Sequence, residues 1–344
     1  MTSLRVAVIG AGRAGQVHAT NLAEFVPEAA VTAVVDENTD AAERLAARVG
    51  ISTTFPSLTA ALEAGACDAV VIAAPTFAHR ELVVQAASAG KHVFCEKPMA
   101  LSVEECDAMI DAATAAGVGL QIGFMRRFQP EFVEAKRRVM AGDIGEPMVI
   151  KSLTRGPGLP PPWAWDLRAS NGMLAEVNSH DFDCVRWLVG ADIARVYTET
   201  ANRKGAARGV TAPDFYDNAV VSLRFTNGTI GTIDGTCPAD YGYDARVELL
   251  GSEGLLLIGD VRGQPILELR NRDIGVVGPT HRTWPERFAE GYRAEMRAFV
   301  RAVLEGAEPA VTGADGRAAV RAVIAANRSW QEERPMPVQP EVRS

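Results

Sequence analysis

The glycine-rich turn near the start of the chain constrains the fold more than any other stretch. An apolar run over residues 6–9 leads directly into Gly10, Gly12 and Gly15, which are spaced as G-x-G-x-x-G. The first glycine permits a tight turn, the second lets the backbone approach a pyrophosphate, and the third brings a helix close to the strand. Free N–H groups at the start of that helix favour negative charge. The stretch therefore predicts a dinucleotide site, and the alternative is a purely structural turn.

A second apolar run, over residues 30–35, ends in Asp36. An acidic residue at this distance from the glycines is the expected hydrogen-bond partner of the adenosine ribose hydroxyls. Its charge would repel a 2′-phosphate, so NAD is the predicted cofactor. Arg13, inside the glycine loop, favours NADP instead, because its guanidinium could reach such a phosphate. NADP therefore stays the alternative cofactor.

Composition narrows the class of protein. The 344 residues are 47% hydrophobic and 23% charged, with a net charge of −8 at pH 7. A chain of this length holds two domains with full cores, and an acidic balance without a basic cluster argues against a nucleic-acid partner. No apolar run reaches the ~18 residues that a membrane span needs, and the N-terminus begins a strand in place of a signal peptide. We therefore expect no membrane partner.

The five cysteines are scattered, odd in number and without a CxxC pair: Cys67, Cys95, Cys106, Cys184 and Cys237. This usage favours reduced thiols and a cytoplasmic location. It argues against a disulfide framework and against a zinc site, so no metal is expected.

Apolar runs alternate with helical segments up to residue 122. Strands are predicted at 51–55, 69–75, 91–98 (with its exit loop) and 119–124, and helices at 39–49, 57–63, 79–89 and 103–115. This repetition predicts an α/β fold with a doubly wound parallel sheet of Rossmann type. Ligands of such sheets bind beyond the carboxyl ends of the strands, where Gly10, Asp36, Pro75 and Lys97 lie in this sequence.

The pattern changes near residue 123. A helix at 130–141 precedes strands at 148–153, 193–200, 216–224, 229–236 and 246–250, with a helix at 180–188 between them. Period-2 alternation and glycine turns predict an α+β domain with a large, mostly antiparallel open sheet. We expect an NAD-binding domain over 1–122 and a substrate-binding and oligomerisation domain over 123–344. Helices near 286–304 and 313–332 should pack back on the first domain, and the tail from Pro335 is expected to be frayed or an extended arm.

Four stretches carry a resemblance to a known family. They are the glycine-rich start, the Cys95-Glu96-Lys97-Pro98 loop, residues 123–128 (GFMRRF) and residues 171–183 (NGMLAEVNSHDFD). Together they resemble the Gfo/Idh/MocA oxidoreductases over essentially the whole chain. Residues 154–157 and 240–244 are most similar to the inositol dehydrogenases of that family. The resemblance implies oxidation of a secondary hydroxyl of a cyclic polyol or sugar to a ketone, with hydride transfer to a nicotinamide.

That chemistry needs a cation and a base beside the carbinol. Lys97, at a strand exit, can hydrogen-bond the reacting oxygen and stabilise developing alkoxide charge. In the family, a histidine matching His180 is the usual proton acceptor, assisted by an aspartate four residues upstream. Here Glu176 stands at that position, one methylene longer, which puts the identity of the substrate in doubt more than the reaction. We expect Lys97 and His180 to meet over one hydroxyl in a cleft between the two domains.

Further residues take roles through the same resemblance. The predicted cofactor-binding residues are Gly10, Gly12, Arg13, Ala14, Gly15, Asp36, Ala74, Pro75, Thr76, His79, Glu96 and Lys97. The predicted substrate-binding residues are Lys97, Arg127, Arg155, Trp165, Asn178, His180, Asp183 and Tyr243. His18 and His92 are assigned structural places, and His281 a place in a loop.

Alternatives accompany these assignments. Lys97 could be a solvated lysine, His180 a core histidine and Arg127 a surface charge, while Trp163, Trp165 and Tyr292 could serve core packing as well as a sugar ring. Two other functions also fit the family: an NAD-dependent glycoside hydrolase that oxidises its substrate transiently, and a non-catalytic regulator that binds NAD and sugar. Net NADH release distinguishes the dehydrogenase from the hydrolase. The presence of both Lys97 and His180 favours an enzyme. Because an open sheet covers its bare face, we expect a dimer or a homotetramer.

Overall fold

A computed structural model describes residues 3–259 and 281–338 of the chain. The chain divides into two compact units, and each unit is built from two stretches of sequence. The first comprises Met1–Gln129 and Ala289–Val320, and the second Pro130–Phe288 and Arg321–Ser344. This division differs from the predicted boundary after residue 122, because a segment from near the C-terminus completes the first unit.

The first unit contains a six-stranded sheet in which all neighbouring strands are parallel. Its strands are β1 (Leu4–Ile9), β2 (Ala29–Val35), β3 (Thr54–Phe55), β4 (Ala69–Ile72), β5 (His92–Glu96) and β6 (Leu120–Gly123). The strand order β3-β2-β1-β4-β5-β6 is that of the doubly wound dinucleotide-binding fold. The predicted Rossmann sheet is confirmed.

Helices connect these strands, and their ends follow the local sequence. They are α1 (Arg13–Phe25), α2 (Thr39–Arg48), α3 (Leu58–Glu63), α4 (Thr76–Ser88) and α5 (Val103–Ala116), followed by a 3₁₀ helix, Met125–Phe128. Side chains of Asn38, Ser57 and Ser102 accept N-terminal N–H groups of α2, α3 and α5. The helix α4 begins three residues earlier than predicted, directly after Pro75, whose fixed φ suits the position before a helix.

The second unit contains a seven-stranded sheet in the order β12-β11-β7-β10-β9-β8-β13. Its strands are β7 (Pro147–Arg155), β8 (Ile193–Ala201), β9 (Asn218–Phe225), β10 (Ile230–Thr236), β11 (Asp244–Gly251), β12 (Leu255–Ile258) and β13 (Met336–Pro337). Only the β7–β10 pair is parallel, which confirms the mostly antiparallel sheet. At the start of the predicted tail, Met336 pairs with Val196, as expected for an extended arm, and residues 339–344 lie outside the described residues.

One face of this sheet is covered by helices and the other is exposed. The helices of the unit are α6 (Pro130–Ala141), α7 (Leu167–Ser170), α8 (Gly172–Glu176), α9 (Ser179–Val189), α10 (Lys204–Ala207) and α11 (Trp284–Arg287), with a 3₁₀ helix at Pro162–Trp165. Strand β7 alternates: Ser152 and Thr154 are buried beneath α9, whereas Lys151 and Arg155 point to the other face. Residues on that other face include Val220, Ile230 and Leu257, whose exposed fractions are 52%, 47% and 72%.

Two C-terminal helices complete the cores. In α12 (Ala289–Glu305), Met296, Phe299 and Val300 are buried in the same apolar cluster as Val6 and Val8 of β1. In α13 (Gly313–Gln331) the division between the units falls after Val320. Across residues 3–259 and 281–338, none of the helices has the length and hydrophobicity of a membrane span.

Candidate active site

The glycine turn has the geometry that the spacing predicts. Gly10 adopts φ +98°, and a Cβ on it would lie 2.7 Å from the Ala73 carbonyl oxygen. A Cβ on Gly15 would lie 1.8 Å from the Gly10 carbonyl oxygen. Both positions exclude a side chain: the first because of backbone conformation and space, the second because α1 passes directly over the turn.

The same turn has room for a diphosphate. Gly12 is exposed, and a Cβ built on it would meet no described atom within 4 Å. Gly12 is also the residue before α1, and no side chain caps the first turn of this helix in the part of the chain that the structure describes. The N–H groups of Arg13 and Ala14 therefore start a 13-residue helix at an open surface, which suits an anionic ligand.

Asp36 is fixed in place by backbone N–H groups. Its Oδ2 accepts from Ala11 N at 2.7 Å, and its Oδ1 accepts from Asn38 N at 2.9 Å. A carboxylate has about four acceptor positions, so this half-buried group keeps capacity for a ribose diol. The bond to Ala11 was not foreseen from the sequence, and it means that Asp36 also holds the glycine turn.

His79 lies behind the turns that follow β4 and β5. It is 1% exposed, with Nδ1 2.9 Å from the Pro98 carbonyl oxygen and Nε2 2.9 Å from the Ala74 carbonyl oxygen. Burial lowers the pKa of His79, although the hydrogen bonds to these carbonyls act in the opposite direction. Its ring nitrogens are thus used in joining two turns, and the place of His79 among the cofactor-binding residues stays a prediction. Thr76 beside it is buried as well.

Lys97 leaves the end of β5 and is partly exposed. Its backbone N–H donates to Glu96 Oε2 at 2.9 Å, and Glu96 Oε1 lies 2.7 Å from His18 Nε2. Burial acts to raise the pKa of Glu96, but the His18 hydrogen bond and charge, together with the Lys97 charge, outweigh it and hold that pKa below its ordinary value. Glu96 therefore supports the main chain at Lys97 from inside the unit, where its side chain is 6% exposed.

The second unit carries the other catalytic candidates on two consecutive helices. Asn171 (φ +59°) and Gly172 (φ +69°) turn the chain from α7 into α8, and a Cβ on Gly172 would lie 2.5 Å from Leu167 Cδ2. Glu176 ends α8 and is partly exposed, while His180 lies in the first turn of α9 and is 6% exposed. The four-residue spacing of Glu176 and His180 therefore spans the junction of two helices.

A buried carboxylate anchors α9 to the sheet. Asp181 is fully buried and accepts hydrogen bonds from Ser152 Oγ at 2.6 Å, Thr154 Oγ1 at 2.7 Å and Asn178 Nδ2 at 2.8 Å. Asn178 is itself fully buried, and a Cβ on Gly235 would lie 2.2 Å from its Oδ1. The amide nitrogen of Asn178 therefore holds Asp181, whereas its Oδ1 has no hydrogen-bond partner within the described residues, and the role of Asn178 toward a sugar hydroxyl stays a prediction. Sequence reasoning missed Asp181, although its place between His180 and Asp183 was visible.

Two predicted substrate contacts have other partners in the structure. Arg155 projects from the face of the sheet opposite α9 and forms an ion pair with Asp234. Arg127 forms a two-point ion pair with Asp315 of α13, at 2.9 Å and 3.2 Å. Alternation along β7 sets the partner of Arg155, and α13, which is distant in sequence, supplies that of Arg127. The roles of both arginines in binding a substrate stay predictions.

The remaining candidates are held by local contacts. Trp165 donates its indole N–H to the Pro160 carbonyl at 2.9 Å and meets the Phe215 ring edge-on at 6.0 Å. Tyr243 is 6% exposed and its ring meets Phe288 edge-on at 6.0 Å. Asp183 is 1% exposed, in α9 with His180. The roles of these three in binding a substrate stay predictions.

The cysteines and acidic residues offer no separate centre in the described parts of the chain. All five cysteines are buried, and none of them forms a disulfide within the described residues. In residues 3–259 and 281–338, no three His, Cys, Asp or Glu side chains are grouped as metal ligands.

Comparison with known proteins places this chain among oxidoreductases. Residues 4–124 match the model of the Gfo/Idh/MocA oxidoreductase family, NAD-binding Rossmann fold, and residues 136–338 match the C-terminal alpha/beta domain of that family. The chain is 36% identical to a scyllo-inositol 2-dehydrogenase (NAD(+)) of Bacillus subtilis, over 99% of this chain and 97% of that protein. It is 35% identical to a myo-inositol 2-dehydrogenase of Thermotoga maritima, over 96% and 97% respectively.

A solved structure is similar over the same length. It is scyllo-inositol dehydrogenase from Lactobacillus casei with bound cofactor NAD(H) and scyllo-inositol, with a TM-score of 0.88 and 25% identity, over 98% of this chain and 99% of that one. Both family models match the chain, and two relatives are 36% and 35% identical to it over nearly its full length. The chain belongs to the Gfo/Idh/MocA family of NAD-binding oxidoreductases.

Proposed function

We propose that this protein is an NAD-dependent dehydrogenase that oxidises a secondary hydroxyl of an inositol-like cyclic polyol to a ketone. The relatives are inositol 2-dehydrogenases, and one similar structure holds NAD(H) with scyllo-inositol. The observation that carries the proposal in this chain is the open glycine turn with Asp36 fixed at its edge. NAD fits this turn because the helix start is free for a diphosphate and the carboxylate keeps room for a ribose diol.

The proposed chemistry uses three residues of the chain. NAD, when bound, supplies the acceptor for the hydride. We assign His180 as the base that takes the hydroxyl proton, since imidazole is the side chain that most often serves as a general base. The Lys97 ammonium donates a hydrogen bond to the same oxygen and stabilises its developing negative charge. Glu176 assists His180 in the role that the family gives to an aspartate.

Asp36 is the basis for choosing NAD over NADP. Its carboxylate would repel a 2′-phosphate, and its two backbone hydrogen bonds prevent it from swinging away to relieve that repulsion. Arg13 is exposed at the same turn, but a single guanidinium does not remove the fixed negative charge. We therefore propose NAD as the working cofactor.

NADH formation tests the activity directly. The purified chain and NAD are mixed with one candidate substrate at a time: myo-inositol, scyllo-inositol, aldoses or anhydrosugars. The absorbance of NADH reports its net formation. Accumulation of NADH with an inositol supports the proposal. Glycoside cleavage without net NADH would favour the hydrolase, and NAD binding without turnover of any of these compounds would favour a regulator.

Two lysines of the same strand region test the assignment of Lys97. Lys97→Ala should lower turnover by about 10²-fold or more with NAD affinity little changed, because the ammonium acts on the reacting oxygen. Lys91→Ala, just before the other end of β5, is the matched control and should leave turnover within twofold. Equal activity of the two variants would remove Lys97 from the mechanism.

We also propose that copies of the chain associate through the exposed face of the seven-stranded sheet, as a dimer or a homotetramer in the cytoplasm. Val220, Ile230 and Leu257 are exposed apolar side chains on this face, at 52%, 47% and 72%. Sedimentation of the wild type and of Ile230→Lys tests it, since a charge at that position should dissociate the assembly. A monomeric wild type would contradict the proposal. The proposed location is supported by the five cysteines, which form no disulfide within the described residues and fit a reducing compartment.

A further inference from the structure

Four polar side chains from four different elements are buried together behind β5. They are His18 of α1, Glu96 of β5, Gln121 of β6 and Glu295 of α12, with exposed fractions of 0%, 6%, 0% and 0%. We call them the buried acid cluster. His18 Nε2 lies 2.7 Å from Glu96 Oε1, and Gln121 Nε2 donates to the Glu295 backbone carbonyl at 3.4 Å. The aromatic rings of Phe94 and Tyr292 meet His18 at 5.0 Å and 5.7 Å.

The two carboxyl groups of the cluster are in different situations. Glu96 has donors for both oxygens, His18 on one side and the Lys97 backbone N–H on the other. Glu295 has none: neither of its oxygens has a hydrogen-bond partner within the described residues. An unpaired carboxylate in an apolar interior is so costly that such groups take up a proton instead.

The charges around Glu295 also favour its protonated form. Glu96 is the charged neighbour that raises the pKa of Glu295, in addition to the larger effect of burial. Arg126, on the 3₁₀ helix that packs against α12, is 1% exposed but makes no hydrogen bond to Glu295. His18 is the remaining titratable group of the cluster, and its Nε2 is used by Glu96. Two neighbouring carboxyls of this kind cannot both ionise at low cost.

The shape of the site favours Glu96 as the acid that keeps its charge. A Cβ on Gly123 of β6 would lie 3.2 Å from both Cδ and Oε2 of Glu96. The neighbouring strand therefore leaves room for this carboxylate at the point where it accepts the Lys97 N–H. At Glu295, by contrast, neither carboxyl oxygen has a hydrogen-bond donor among the described residues.

We propose that Glu295 carries a proton in the folded chain, that Glu96 is the single anion of the buried acid cluster, and that Glu96 is a positioning residue for Lys97. A neutral Glu295 neither repels Glu96 nor competes with it for its donors. Glu96 then holds the backbone of the residue that presents the ammonium. The part concerning Lys97 rests on the proposed function, whereas the protonation of Glu295 does not.

Infrared spectroscopy tests the protonation without reference to activity. At pH 7.5 the full chain should show a protonated-carboxyl stretch that is lost in Glu295→Gln. The matched control is Glu290→Gln, at an exposed position of the same helix, which should keep the band. A band unchanged in Glu295→Gln would overturn the proposal.

The stability of the same variants gives a second readout. The pKa of Glu295 is raised in the folded chain, so the folded state retains a proton that the unfolded chain releases above its ordinary pKa of 4.5. Unfolding is therefore favoured as the pH rises, and this effect is absent in Glu295→Gln. The ratio of unfolding constants, wild type over Glu295→Gln, should grow about tenfold per pH unit, or about 100-fold between pH 5.5 and 7.5. A ratio that does not change with pH would show that Glu295 is ionised in the fold.

Glu96→Gln links the cluster to Lys97. Without the Glu96 charge, Glu295 should ionise at lower pH, seen as an earlier loss of its infrared band. Turnover should fall about tenfold or more with the KM for NAD within threefold, and Glu96→Asp should recover part of it. If the infrared shift occurs but Glu96→Gln turns over as fast as an active wild type, the positioning role of Glu96 is wrong. If the wild type oxidises no polyol, the proposed function fails while the infrared result still decides the protonation of Glu295.

Discussion

Removing the hydroxyls that hold Asp181 should destabilise the second unit strongly. Ser152 and Thr154 donate to this fully buried carboxylate at 2.6 Å and 2.7 Å. Hydrogen bonds to a charged group contribute about 1.5–3 kcal/mol each, so Ser152→Ala together with Thr154→Val should cost about 3–6 kcal/mol. That is a large part of the ~5–15 kcal/mol by which folded proteins are usually stable.

The same strand offers a matched control. Lys151 is adjacent to Ser152 but points to the opposite face, where it pairs with Glu248 at 2.8 Å. The two side chains of this pair are 60% and 41% exposed, so solvent screens the pair and Lys151→Ala should cost about 0–1 kcal/mol. The comparison therefore isolates burial, since both changes remove polar contacts from one strand.

Urea unfolding followed by circular dichroism measures both free energies, and NADH formation measures turnover. Because Asp181 follows His180 in the first turn of α9, we expect turnover to fall in the Ser152→Ala and Thr154→Val variants. NAD affinity should stay the same, since Asp36 and the glycine turn belong to the first unit. If Ser152→Ala and Thr154→Val each cost no more than Lys151→Ala, the anchoring of α9 by Asp181 is refuted.

Three further predictions follow from the described contacts. Asp36→Ala should erode the preference for NAD over NADP, and it should also lower the affinity for both cofactors, because the Ala11 N–H loses its acceptor. Titration with each cofactor measures both affinities, and an unchanged ratio of the two affinities would assign the choice of cofactor to another residue. Gly172→Ala should cost about 1–3 kcal/mol of unfolding free energy, since φ is +69° and Leu167 Cδ2 would lie 2.5 Å from the new Cβ; a neutral urea midpoint would contradict it. The pKa of Glu96 is lowered in the folded chain, so the ionised carboxylate stabilises the fold above its ordinary pKa of 4.5, and this stabilisation is lost as the pH falls through the pKa of the folded state. The unfolding free energies of wild type and Glu96→Gln should therefore converge in acid, and a difference that stays constant with pH would contradict this.

The fold was largely predictable because its signals are local. Apolar runs of four to six residues separated by helical segments define a parallel sheet, and Gly10 and Gly15 are required by space that only a strand–turn–helix unit creates. Helices α2 and α5 begin at Thr39 and Val103, as predicted, and the structure shows that Asn38 and Ser102 cap them. The short helices α7 and α8 escaped because four or five residues carry no periodicity.

The surroundings of the candidate site were less predictable because they depend on distant partners. The predicted strand ended at residue 153, whereas β7 extends to Arg155, and the face of the sheet that α9 covers was not visible from the sequence, so the ion pair of Arg155 with Asp234 was not predicted. Arg127 meets Asp315, which lies 188 positions away. Asn178 and His79 have side-chain types common in ligand sites, but burial among carbonyls and carboxylates decided their partners.

The assignment of α12 to the first unit affects how the chain is made. Met296, Phe299 and Val300 supply part of the apolar cluster around β1, so a nascent chain that has not reached Ala289 has a Rossmann sheet with that part of its core missing. The second unit likewise waits for residues after Val320. Neither unit can be excised by a single cut, and residues after Ala289 and after Val320 must be synthesised before the first and the second unit reach their final packing.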